Sequence, residues 1–226
     1  MAGKVAERRK ALREDLINIA EATIAREGLS GLKARDLATE AGCALGAIYN
    51  VFGDLNDLVL AVNARTFHAL GAEVAASLAT APQAPVEQLV VMAQAYHAFA
   101  AEHHNLWRAL FDLDRPKGEA APEWYVTELS QLFTYIHDPL MAIFPAMDQN
   151  QRLLLTKGLF SSVHGIVLLG LDEANAGVQT DNIDTHHFVL GKAHIGHFGM
   201  LEYLRTVAAS GSSIGMHELE GIEMTF

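Results

Sequence analysis

Apolar residues recur along almost the whole chain at helical spacing. Leu12, Leu16, Ile19, Ala20, Thr23 and Ile24 fall at i, i+4, i+7, i+8, i+11 and i+12, one stripe that predicts a helix ended by Gly28. Two short helices are expected over 34–41 and 45–51, with a turn between them. Asp54, with Asp57 one turn further on, marks the N-cap of a long helix that meets no breaker before about Ala79. Pro82 and Pro85 read as a linker. Leu89, Met92, Tyr96, Phe99 and His103 then repeat at spacings of three and four. A shorter helix carries Leu106, Leu110 and Phe111, a loop covers 115–122, and a helix runs from Trp124 to His137. Asp138 and Pro139 are expected to stop that helix and to serve as N-cap and first residue of a short successor. Asp148 with Gln151 forms a capping pair for a long helix to Leu171. Residues 172–186 form a polar loop, a last helix covers 184–209, and 210–226 receive no assignment. No β-alternation and no internal repeat are found, so the fold class is all-α. A small N-terminal unit (1–53) precedes a larger bundle (54–209).

Half of the 226 residues are hydrophobic, which excludes general disorder and allows a substantial core. The single cysteine, Cys43, excludes an internal disulfide framework and fits a reducing cytoplasm. It reads as a small buried hydrophobe in a turn rather than a redox sensor. The stretch from Lys4 to Asp15 is charged and lacks the apolar core of a secretory signal. Residues 159–171, the longest apolar run, are too few to span a bilayer, so no membrane partner is expected.

The net charge of −11 argues against a polyanionic partner only if it is spread evenly, and it is not. Residues 1–13 hold five basic side chains (Lys4, Arg8, Arg9, Lys10, Arg13) against Glu7 alone. Residues 1–50 hold 8 basic and 7 acidic side chains, whereas the remainder holds 8 and 20. A basic arm on an acidic body can hold one region against a polyanion while the rest is repelled.

The stretch from Ala34 to Gly53 obeys a steric code. Ala38 is small enough for a second helix to cross near its backbone, and Gly42, four residues on, can take the positive φ of a tight turn. Ile48 and Val51 share a face that can close a small core with Leu37 and Ala41. This is a helix-turn-helix reading, in which the second helix enters the major groove of DNA.

With these residues in view, positions 8–60 resemble the TetR family of bacterial transcriptional regulators. The resemblance rests on Arg35-Asp36-Leu37-Ala38, Ala41-Gly42, Gly46-Ala47-Ile48-Tyr49-Asn50-Val51-Phe52 and the helix start Asp54-Leu55-Asn56-Asp57-Leu58. Tyr96–Phe111 is similar to the fifth and sixth helices of many members. Phe160–Leu169, with His164 and Gly165, resembles a subgroup named for a Trp, a His and a Gly, Phe160 standing at the Trp position. The resemblance implies an all-helical homodimer on a palindromic double-stranded DNA operator, released when a small molecule enters the C-terminal bundle. The helices over 149–171 and 184–209 would pair with their mates in a four-helix interface.

The chain departs from the family pattern where members often carry Thr (here Lys33), Ser (Ala44), Thr (Ala47) and Lys (Leu55), so three of four polar contacts are replaced by apolar residues. The resemblance then assigns DNA contact to Arg8, Arg9, Lys33, Arg35, Ala44, Gly46, Ala47, Tyr49 and Asn50. Tyr49 is assigned to a phosphate, and Ala44 and Ala47 to thymine methyl groups.

His97, Trp107, Phe111 and His164 are the ligand-binding candidates, since bundle pockets are mostly apolar with few polar groups. His164 lies in an apolar helix, where it either lines a cavity or bonds a neighbouring carbonyl. The pairs His103-His104, His186-His187 and His194/His197 lack the ligand number and spacing of a zinc site, so no metal and no cofactor are expected. No G-x-S-x-G, P-loop, G-x-G-x-x-G or H-E-x-x-H motif occurs, and an enzyme is not expected. The competing classes are a metal-sensing or ligand-binding bundle with an inert helical hairpin, and a small all-α enzyme.

Overall fold

The computed structural model describes residues 2–113 and 120–171, all helix and turn. The helix expected over 184–209, the tail 210–226 and the histidines at 186, 187, 194 and 197 lie outside the described residues. Eight α-helices are described: α1 (Ala2–Glu27), α2 (Ala34–Glu40), α3 (Leu45–Val51), α4 (Leu55–Ala79), α5 (Pro85–Glu102), α6 (His104–Ala109), α7 (Glu123–Ile143) and α8 (Gln149–Leu171). The chain forms two compact units. One comprises Met1–Glu73 and Tyr96–Leu132, the other the described parts of Val74–Ala95 and Phe133–Phe226.

In the first unit, Leu16, Ala20 and Ile24 of α1 form the expected stripe and are fully buried. They pack with Ile17, Leu37, Ala38, Ile48, Phe52, Leu58, Val59 and Val62 into one cluster. Ala41, Cys43 and Val51 lie partly buried against it. Gly28 ends α1 with φ 71°, its N–H donating to the Ile24 carbonyl at 2.8 Å. The entry to α4 is a reciprocal cap. The Asp57 N–H donates to Asp54 Oδ1 at 2.8 Å, and the Gly53 N–H donates to Asp57 Oδ2 at 3.0 Å. A smaller cluster joins Leu60 and Phe67 of α4 to Tyr125 of α7.

In the second unit, Leu89, Ile136, Leu140, Phe144 and Leu159 form the core, with Phe133 and Phe160 at its edge. Pro85 is the first residue of α5, where its missing N–H is no loss. The Pro82–Pro85 segment thus connects the end of α4 to the start of α5. As expected, Asp148 caps α8, accepting from the N–H groups of Asn150 (2.9 Å) and Gln151 (3.0 Å).

One expectation is overturned. Pro139 does not end a helix, because α7 runs through it from Glu123 to Ile143. An interior proline costs about 3 kcal/mol. Ile136 and Leu140, on either side of it, and Phe144 just after the helix are all buried in one cluster, each contributing about 1.5–3 kcal/mol. Breaking the helix at Pro139 would withdraw at least one of them. The helix capped by Asp148 runs to Leu171 as expected, but its apolar stretch is longer than residues 159–171 alone. The helix has 23 residues and a stretch of mean hydropathy 1.5, long and apolar enough by itself to cross a bilayer. Its Leu159 is nonetheless buried in a protein core and its Arg152 bonds the Met147 carbonyl.

Removal of the α4 cap by Asp54→Ala is expected to lower stability by about 1 kcal/mol in urea unfolding. An unchanged midpoint would show that the cap contributes nothing.

Candidate nucleic-acid interface

The turn between α2 and α3 is closed by two backbone bonds. The Gly42 N–H donates to the Thr39 carbonyl at 3.2 Å and the Cys43 N–H to the Ala38 carbonyl at 2.9 Å, with Gly42 at φ 61°. This is the Schellman arrangement, and it requires the left-handed residue that glycine supplies without strain. The two helices it joins contribute Leu37, Ala38 and Ile48 to the core.

Burial of Ile48 turns the opposite face of α3 outward. Leu45, Gly46, Tyr49 and Asn50 are exposed, Ala44 is exposed at the N-cap position, and Ala47 is half-buried. Tyr49 stands 47% exposed. Lys33 is the residue before α2 and Arg35 lies in its first turn, both exposed. Arg8 and Arg9 are exposed on α1, and neither meets a carboxylate among the described residues. The nine positions assigned to DNA contact therefore lie on α1, α2 and α3 of one unit, all solvent-accessible except the half-buried Ala47.

Two further residues join the basic arm to α3 and α4. The Arg13 guanidinium sits over the Phe52 ring, 5.2 Å from its centroid, so α1 is tied to the residue that ends α3. Arg65 of α4 reaches Glu14, Asn18 and Glu21 on one face of α1, at 2.8, 2.7 and 2.8 Å. Burial lowers the Arg65 pKa, but hydrogen bonds and attraction from Glu21 and Glu14 outweigh it and hold the group above its ordinary value. Sequence reasoning missed this clamp. The polar positions 14, 18 and 21 share a helix face, yet nothing local names their partner. It also passed over Leu45, which is 40% exposed and belongs to none of the described clusters around α3.

The ligand candidates fall in both units. Trp107 is fully buried in the first, donating its indole N–H to the Tyr96 hydroxyl at 2.8 Å and meeting Phe111 edge-on. Burial pushes the Tyr96 hydroxyl pKa upward, against the bond from Trp107 that lowers it. His97 is half-buried on α5 and Phe111 is exposed. His164 belongs to the second unit, half-buried and stacked on Phe160 with ring centres 5.7 Å apart. The first unit also has an open groove of about 530 Å³ between the end of α1 and α6. Glu27, Ser30, His104, Asn105, Arg108 and Asp112 are among its lining, and none of the four candidates is. No cluster of three metal-ligating side chains occurs among the described residues.

Residues 89–188 match the family model described as Tetracyclin repressor-like, C-terminal domain. An uncharacterized HTH-type transcriptional regulator of Mycobacterium tuberculosis is 27% identical over 183 residues, 80% of each chain. Among solved structures, a protein of unknown function from Rhodococcus sp. RHA1 superposes with a TM-score of 0.65 at 22% identity. The match covers 88% of this chain and 94% of that one. RolR in complex with resorcinol superposes with a TM-score of 0.58 at 19% identity, covering 90% and 96%.

A double-mutant cycle on Arg65→Met and Glu21→Gln is expected to give a coupling of about 0.2–1 kcal/mol, since both side chains are about a third exposed and partly screened. Zero coupling in thermal or urea unfolding would show that the clamp does not fix α1.

Proposed function

We propose that the chain is a transcriptional regulator of the TetR family, and within it a cytoplasmic homodimeric repressor of a palindromic operator. The observation that carries the reading is the outward face of α3, held by Ile48 and the Gly42 turn and flanked by Lys33, Arg35 and the basic arm. In this role α3 lies in the major groove, Tyr49 donates to a phosphate, and Arg8, Arg9, Lys33 and Arg35 supply charge against the backbone. The acidic remainder of the chain discourages other modes of contact.

Dimerisation is assigned to α8. Leu154 (71% exposed), Gly158, Ser162, Gly165 and Leu169 (60% exposed) recur at spacings of four, four, three and four along it. A Cβ placed on Gly158 or Gly165 would meet nothing within 4 Å. Such a face, apolar and low in relief, suits close approach by a second copy of the same helix.

The effector is a small, mostly apolar molecule, with His97, Trp107, Phe111 and His164 as its candidate contacts. RolR, which shares the fold, was solved with resorcinol, and that supports a ligand of this class. The two recognition helices must meet half-sites about 34 Å apart, or a multiple of that distance. A ligand that favours a displaced α4 weakens both contacts together. A preference of about 1–3 kcal/mol for the released state is sufficient.

Selection of bound sequences from a random duplex library, at low salt and without ligand, is expected to enrich a palindrome. Failure to enrich any sequence would overturn the reading. On the winning duplex, each phosphate contact removed by Arg8→Ala or Arg9→Ala should flatten the log–log salt dependence by about 0.9. An unchanged slope in both variants would remove the arm from the interface. Leu154→Asp on α8 is expected to give a monomer in sedimentation and to lose at least tenfold in operator affinity. A variant that remains dimeric would place the interface elsewhere.

A further inference from the structure

The outward face of α3 differs in chemistry from the surfaces beside it. The seven residues of α3 include no Lys, Arg, Asp or Glu. The cations stand apart, with Lys33 and Arg35 at the start of α2 and Arg8 and Arg9 on α1. Guanine is read in the major groove chiefly by Arg or Lys donating to O6 and N7, and α3 carries neither.

It carries instead an exposed leucine. Leu45 lies one turn before Tyr49, at the edge of the outward face that holds Gly46 and Asn50; it is 40% exposed and belongs to none of the described clusters around α3. The thymine 5-methyl is the one apolar group on the major-groove edges of the bases, so a leucine presented there has a single kind of favourable contact. Gly46 lies beside it, with open space where a Cβ would stand, so the groove edge can approach the helix backbone. Asn50, one turn beyond Gly46, carries the amide that pairs with adenine N6 and N7.

Resting on the DNA-binding reading above, we propose that α3 reads A·T pairs through thymine methyl groups, with Leu45 as the specificity-determining residue and Asn50 as the adenine partner. Ala44, exposed at the start of the helix, borders the same contact. The half-site core is accordingly rich in A·T pairs, and its sequence is sensed by apolar contact and one amide, while cations on α1 and α2 supply affinity without choosing bases.

The test takes the duplex selected by the full chain and replaces each half-site thymine in turn with deoxyuridine, which removes only the 5-methyl. At one position per half-site the loss should be about three- to fourfold, and about tenfold when both half-sites are changed together. Leu45→Ala should bind the thymine duplex with a similar loss and no longer distinguish it from the deoxyuridine duplex. Because Leu45 is 40% exposed and outside the described clusters, the variant should stay folded with only a small drop in melting temperature, to be measured alongside binding. A selected half-site whose core is G·C, or indifference to deoxyuridine at every position, would overturn the proposal while leaving DNA binding intact. Full methyl discrimination by Leu45→Ala would also overturn it, because the methyl would then act through DNA shape. No enrichment at all would overturn the DNA-binding reading itself, and this proposal with it.

Discussion

A seven-residue helix has no stability of its own. Nucleation is so unfavourable that even helices twice that length are marginal in water. Everything α3 presents to solvent therefore depends on Ile48, its one fully buried residue, set among Leu16, Leu37 and Leu58 of three other helices. The Gly42 turn holds α3 at one end. Phe52, buried beneath the Arg13 guanidinium, holds it at the other. With so little anchorage, the outward face of α3 is rigid only as long as the surrounding core is.

That core extends to α6 through a polar contact. Asn63, fully buried on α4, donates to the Ala109 carbonyl at the end of α6 at 3.0 Å, and its Oδ1 has no partner among the described residues. A buried acceptor left unpaired costs about 1–3 kcal/mol, so the asparagine fixes the register of α4 against α6 rather than adding stability. Asn105 of α6 makes a second such contact, donating to the Ala25 carbonyl near the end of α1. Hydrogen bonds with directional demands thus set how α1, α4 and α6 align within the unit, while apolar burial supplies most of the energy.

The parts of the fold legible in the sequence are those governed by local chemistry. Gly28 and Gly42 take positive φ where a helix must end; Asp54 and Asp148 accept from first-turn N–H groups of the helices they precede, and Asp57, inside α4, accepts from the Gly53 N–H. Pro139 was misleading because its local preference is opposed by Ile136 and Leu140, whose burial is a property of the whole unit. The same reasoning explains the candidate site. Positions on α2 and α3 follow from a motif of fixed spacing. Arg65 and Leu45 stand out only by what lies opposite them, which is two helical turns of α1 in one case and, over part of the side chain, solvent in the other. The ligand candidates were chosen by residue type alone, and Trp107 emerges as a fully buried, hydrogen-bonded residue of one unit while His164 stacks on Phe160 in the other.

The clamp from Arg65 to Glu14 and Glu21 is open to solvent over about a third to a half of its side-chain surface, within reach of the ions that screen charges on a DNA backbone. Added salt then acts twice. In the proposed complex it would weaken the counterion-release term that favours cationic side chains on phosphate, and it would loosen the ion pairs that orient the helix bearing those side chains. The two losses run in the same direction. If the proposed complex forms, a salt slope measured on it is consequently an upper bound on the number of phosphates contacted.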